Sequence, residues 1–299
     1  MGQVVMRMAI AKLNFILMPK IVKIHAAENT PMGELVTYRA LPTRTIDMLD
    51  PFLFLNHHGP QVYASNNSGL PFGPHPHRGI ETVTFIVDGD ICHKDNGGHE
   101  SVMTAGGVQW MTAGSGLMHE EVSSKEFKKN GGPLEILQLW LNLPSRLRMT
   151  KPNYVGLEKE AIPILSVNDD VKLQCISGTW ENQEGPFPSI TNIALALVHF
   201  KSGASYTLNA PGEHTIFFYI IRGSFTVDNT MVKAMNVVEF TTEGGEIKII
   251  SNEESILLLG YGKPYQEPIF SHGPFVMNTK EEIIEAYNDY NAGKFGAWN

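Results

Sequence analysis

The 299-residue chain predicts an all-β protein of two β-barrel domains, with one α-helix at the C-terminus. Three observations carry that expectation. The chain holds 28 glycines and 18 prolines, which suits many turns between short strands better than a helical bundle. Strand-like runs recur with a similar rhythm in both halves, as in a duplicated barrel. A capped, amphipathic helical pattern stands at the very end. Hydrophobic residues make up 42% and charged residues 18%, enough for a packed core and too apolar for a disordered chain.

The elements follow in order. Met1 to Leu17 carries Arg7 and an apolar run that Lys12 and Asn14 interrupt. No small-residue cleavage site follows, so we read it as an extension or a first strand. Met18-Pro-Lys-Ile-Val-Lys-Ile alternates like a strand. Glu81 to Val87 is rich in β-branched residues and ends in the hairpin pair Asp88-Gly89. Val108 to Thr112 lies close to glycines on either side. Leu134 to Leu143 is almost wholly apolar and stops at Pro144, which suits a strand buried on both faces. Ser145 to Pro163 is polar and reads as a connector. Asn192–Phe200, Thr215–Arg222, Glu246–Ile250 and Ser255–Leu259 repeat the strand pattern. Thr279-Lys-Glu-Glu282 has the capping-box form, Ile283, Ile284, Tyr287 and Tyr290 share one helical face, and Gly293 stops the helix.

Charge and cysteine content narrow the function. Twenty-three Lys and Arg against 31 Asp and Glu give a formal net charge of −8, which argues against direct nucleic-acid binding. No apolar run reaches the roughly 20 residues of a membrane span. Cys92 and Cys175 form no C-x-x-C, so neither a thiolate metal site nor a disulfide framework is indicated. A reducing, cytoplasmic setting and a monomer are expected.

Histidine is unevenly placed: seven of the 11 lie between His57 and His119. Residues two apart on a strand share a face, so the imidazoles of His75-Pro-His77 can reach one ion. Pro76 removes a backbone donor, which places the pair at a strand start or on an edge. The same period aligns His119 with Glu121 in His119-Glu-Glu121. Each pair alone also suits an ordinary surface or hydrogen-bonded pair. Gly69, Gly73 and Gly79 near the first, and Gly106, Gly107, Gly114 and Gly116 before the second, allow turns that bring both together.

Gly69-x5-His75-x-His77-x3-Glu81 resembles the first cupin motif, and Gly114-Ser-Gly116-Leu-Met-His119 the second. The segments PHPHRGIETVTFIVDGDICHKDNGGHE (74–100), QWMTAGSGLMHEE (109–121) and HGPFVMNTKEEI (272–283) resemble the signatures of the pirin family of bicupins. QLWLNLPS (138–145) and KPYQEPIF (263–270) agree. The resemblance runs from about Leu49 to the C-terminal helix. Glu120 departs from it, since other members often carry a small residue there, at a position that should face away from the site.

The resemblance implies two cupin-type (jelly-roll) barrels facing each other, with the C-terminal helix packed across them. Residues 1–30 are then an extension that can supply a first strand, and 31–144 the metal-binding domain. Residues 145–165 form a linker, and 166–299 a domain without metal ligands that ends in helix 280–292. His214, in that second half, reads as a surface or hydrogen-bonded histidine. It implies that His75, His77, His119 and Glu121 hold the metal, with Glu81 outside them orienting an imidazole. Three neutral imidazoles and one carboxylate leave a divalent site with a charge of about +1, which favours an anionic oxygen ligand. Fe(II) suits such donors with open positions, and Zn, Ni, Cu, Mn or Co could bind.

Two functions follow from the resemblance. One is a quercetin 2,3-dioxygenase-type enzyme acting on a flavonol or similar enolic aromatic compound and O₂, with Glu121 as general base. Phe72, Ile80, Trp110 and Met118, near the ligands in sequence, would wall the ring, although each also suits plain barrel core. The other is an iron-dependent, redox-sensing transcriptional co-regulator that binds a protein partner without turnover. Its support is thin: the densest basic stretch, Lys125-Glu-Phe-Lys-Lys129, is broken and reads as a solvated face. A vestigial metal-storing protein is a third reading.

Overall fold

A computed structural model describes residues 18–298, so the expectation for Met1–Leu17 lies outside the described residues. Alternating side chains and frequent turns sort the strands into two antiparallel barrels, each a seven-stranded sheet with a four-stranded sheet. In the first, the large sheet runs Asn153–Leu157, Val108–Thr112, Ile80–Asp88, Gly132–Asn142, Phe52–Tyr63, Thr37–Leu41 and Glu28–Asn29. Its small sheet runs Phe72–His77, Leu117–Val122, Asp90–Asp95 and Glu100–Thr104.

The apolar run at 134–143 has the predicted cause. Gly132–Asn142 is central, pairing with Ile80–Asp88 on one side and Phe52–Tyr63 on the other. Its Ile136 faces the first barrel's interior, while Leu137, Leu139 and Leu141 join a cluster shared with the second barrel's Leu195, Phe217, Tyr219 and Leu258. The two large sheets therefore pack back to back, with Phe52 stacked on Phe217 at 4.8 Å. Buried His57 bridges Glu135 at 2.8 Å and the Tyr219 hydroxyl at 2.9 Å across this junction. Arg222 reaches Asp88 and Glu135 from the second half.

Two segments behave differently from their sequence reading. Ile21–Ala26 is a strand, but it pairs with Asn236–Phe240 and so completes the second barrel's large sheet. Part of the polar connector, Asn153–Leu157, extends the first barrel's sheet beside Val108–Thr112. Both are edge strands, and a single partner leaves little hydrophobic pattern to read.

The capping box forms as expected: Thr279 accepts from the Glu282 N–H, and the Glu282 carboxylate accepts from the Thr279 N–H. The helix spans Lys280–Asn291, one residue short of the expected end, and Ile284 is 51% exposed. Ile283, Ala286 and Asp289 are its buried residues. It does not lie across both barrels. Its apolar side packs with Phe275, Met277, Phe295 and Met118, and Asp289 pairs with Arg78 at 2.9 Å, so it covers the outside of the first barrel. Among the described residues no helix is long and apolar enough to cross a membrane.

Candidate metal centre

The two sequence pairs meet through strand register. Phe72–His77 is an edge strand, which accommodates Pro74 and Pro76 without lost ladder bonds. It pairs with Leu117–Val122 so that His119 stands directly opposite His75, and Leu117 opposite His77. A bulge follows, because Glu121 lies opposite Phe72. Such an extra residue re-aims neighbouring side chains.

His75, His77 and His119 place ligand nitrogens within 4.8 Å of one another. A second triad, His93, His119 and Glu121, does the same and shares His119 with the first. The His75 and His119 rings are 4.4 Å apart, His77 and His119 5.1 Å, and His93 and His119 5.4 Å.

Hydrogen bonds fix which nitrogens are free. A carbonyl only accepts, so His75 Nδ1–H donates to Gly73 at 2.8 Å and His77 Nδ1–H to Pro274 at 3.0 Å. Each ring therefore keeps an Nε2 lone pair for a cation, the arrangement metal-bound histidines commonly use. Pro274 belongs to the segment before the C-terminal helix, which explains part of that segment's role. His119 is fully buried, and neither of its ring nitrogens has a hydrogen-bond partner. Burial, with His77, His75 and His93 nearby, holds its pKa well below the usual imidazole value. His77 is pushed down to about 3, first by burial and then by His75. These rings are neutral, the form a metal requires. Imidazoles with free lone pairs beside a buried carboxylate, one of them lacking any protein partner, fit a divalent ion of the transition series.

Glu121 is held from the opposite sheet. Its Oε1 accepts from Thr84 at 3.0 Å and from Gln109, and its Oε2 accepts from Gln138. Gln109, Thr84 and Gln138 are cross-strand neighbours in one row of the large sheet. This row and His93 escaped the sequence reading. The His93-x-Asp95 spacing was the available signal: the Nε2–H of His93 donates to Asp95 at 3.1 Å, and its ring stacks on Tyr154 at 3.9 Å.

An open cavity of about 380 Å³ leads to His75 and His77. Phe54, Phe72 and Trp140 supply its aromatic wall, with Phe54 stacked on Trp140 at 4.5 Å and Trp140 edge-on to His77 at 5.0 Å. Of the four apolar residues expected there, Phe72 alone lines this cavity. Ile80 is in a packed cluster with Leu53 and Met111, and Met118 packs beneath the C-terminal helix. Trp110 and Glu81 sit on strand faces turned toward the junction between barrels. Trp110 stacks on Phe187 at 6.1 Å there. Glu81 accepts from Thr112 at 2.6 Å rather than orienting an imidazole, and burial raises its pKa to about 7. Strand parity decides both: Thr84 faces the site, so Glu81, three residues away, faces the other side.

Trp110→Ala should therefore destabilise the fold by about 3–5 kcal/mol, as for a core aromatic, and leave metal content unchanged. Urea unfolding beside elemental analysis checks this. Metal loss without destabilisation would return Trp110 to the site.

Comparison with known proteins agrees with the two-barrel fold. The family model described as pirin matches residues 34–141, and that described as pirin C-terminal cupin domain matches residues 195–296. A Pseudomonas aeruginosa protein provisionally named a quercetin 2,3-dioxygenase is 35% identical over 266 residues, covering 89% of this chain and 92% of its own. A pirin-like protein of Caulobacter vibrioides is 35% identical over 259 residues, covering 86% and 91%. The crystal structure of quercetin 2,3-dioxygenase from Acinetobacter baumannii matches with a TM-score of 0.87 and 35% identity, covering 94% of this chain and 99% of that one.

Proposed function

Because this chain belongs to the pirin family, we propose that it is a metal-dependent dioxygenase of the quercetin 2,3-dioxygenase type, acting on a flavonol or similar enolic aromatic compound and O₂. One observation carries the reading: imidazoles with free lone pairs converge on buried, unpartnered His119 at an aromatic-walled cavity. His75, His77, His119 and Glu121 are the residues that would hold the ion, with Fe(II) the first choice for these donors. When bound, the ion supplies Lewis-acid polarisation of a substrate oxygen and a template for O₂.

The protein's own groups do the rest. Phe54, Trp140 and Phe72 bind the flat ring and exclude water from its faces. Glu121, loosening from the ion, takes the enolic proton at Oε2, the oxygen with one donor, while Thr84 and Gln109 hold Oε1 and fix the carboxylate. The cavity's volume lies within the range of small-molecule sites.

Loss of flavonol absorbance on mixing Fe(II)-loaded protein with quercetin and O₂ tests this. Glu121→Ala should lower kcat by about 100-fold or more, the usual scale for a lost general base. Glu81→Gln should turn over like the unaltered protein, because Glu81 faces away. Equal losses in both variants would remove Glu121 from the base role. No turnover with any first-row metal would leave a metal-binding module.

A further inference from the structure

The row that holds Glu121 continues beyond it. Gln138 pairs with Asn56, and Asn56 with Arg39, on the two strands nearer the mouth of the cavity. One line of polar side chains thus crosses five strands, from Gln109 beneath Glu121 to Arg39. Adjacent strands lie about 4.8 Å apart, so Arg39 stands about 10 Å from Gln138 along the row. That is roughly the length of a two- or three-ring aromatic molecule.

Arg39 is half-buried and held in place. Its Nε–H donates to Asn56 Oδ1 at 3.1 Å, and its guanidinium carbon lies 4.6 Å over the Phe54 ring. Phe54 in turn stacks on Trp140, which touches His77. Arg39 lines the cavity that reaches His75 and His77, and also a neighbouring cavity of about 390 Å³ that shares Phe54 and Trp140 with it. Among the described residues it makes no ion pair, although the chain carries a net charge of −8. Burial depresses its pKa with no carboxylate to offset the cost. A guanidinium fixed at its Nε edge, on a residue that lines a ligand cavity, is suited to bidentate capture of a carboxylate.

We infer that Arg39 anchors a second, anionic group of the substrate, so that this site takes enolic or phenolic aromatic compounds bearing a carboxylate at the end away from the enol. The inference rests on the reading of the cavity as a substrate site. The enolic oxygen lies at the histidine end, the ring against Phe54, Trp140 and Phe72, and the carboxylate on Arg39. A neutral flavonol uses the first two contacts and forgoes the third.

Two fluorescent probes separate these contributions: 3-hydroxyflavone, and its analogue with a carboxylate at the 4′ position. Equilibrium binding is measured by flavonol fluorescence on protein loaded with redox-inert Zn(II), alongside quercetin turnover by the Fe(II)-loaded protein. The carboxylated probe should bind about tenfold or more tightly than its parent, the scale of a charge-assisted hydrogen bond. That advantage should vanish in Arg39→Gln, survive in part in Arg39→Lys, and shrink as salt is raised. Equal binding of both probes, or an advantage that persists in Arg39→Gln, overturns the role of Arg39 while quercetin turnover keeps the dioxygenase reading. Failure of both probes to bind, together with no turnover, overturns both. Unchanged zinc content and circular dichroism in the two variants show that the fold is intact.

Discussion

His119→Leu is expected to reduce bound metal from about one ion per chain to almost none, and to leave the metal-free protein at least as stable as the original. The two outcomes share one cause. Both ring nitrogens of His119 are buried without partners, so without an ion each is an unmet polar group costing about 1–3 kcal/mol. Leucine fills similar space without that cost. With an ion present the balance reverses. Metal at a hundredfold excess over its dissociation constant stabilises the folded state by about 3 kcal/mol, and the variant forgoes this. Thermal unfolding with chelator and with added metal, beside elemental analysis, reads both effects. A variant that keeps its metal, or that is several kcal/mol less stable in chelator, contradicts the role given to His119.

Acidification should destabilise the metal-free protein well above the range where carboxylates titrate. Burial holds His58 and His77 at about 3 and His119 well below its usual 6.5. Between those values and 6.5 the unfolded chain binds protons that the folded chain refuses. Stability from the neutral rings is thus complete above pH 6.5 and lost as pH falls, on the order of 1 kcal/mol per ring per pH unit. Glu81 has the opposite sign: its pKa is raised from 4.5 to about 7, so its contribution is present below pH 4.5 and lost as pH rises through 7. It cancels about one ring's share between those limits. The net loss from pH 7 to pH 5 should be on the order of 3 kcal/mol by urea unfolding. His58→Gln should flatten the slope by about one ring. A profile level from pH 7 to pH 5 would show that the rings are not held neutral by the fold.

The fold class was legible because turn residues and strand alternation are local signals. So was the C-terminal helix, whose capping box needs only Thr279 and Glu282. The histidine pairs were legible because the two-residue period of a strand puts His75 with His77, and His119 with Glu121, on shared faces. What resisted was long-range pairing. Nothing local shows that Ile21–Ala26 adds to a sheet completed over 200 residues later, or that Pro274 orients His77. The wall of the cavity resisted for a related reason. Trp110 and Glu81 are near the ligands in sequence but have the wrong strand parity, while Phe54 and Trp140 arrive from strands with no metal motif of their own. Arg39, Asn56, Gln138, Thr84 and Gln109 form a row only once five strands are in register.

An anomalous difference map from a crystal of the Fe(II)-reconstituted protein, collected at the iron edge, addresses the central claim directly. The expected result is one peak per chain, bonded to Nε2 of His75 and His77, to a ring nitrogen of His119 and to a carboxylate oxygen of Glu121. A first barrel without a peak, or with the iron bound by other side chains, would contradict it.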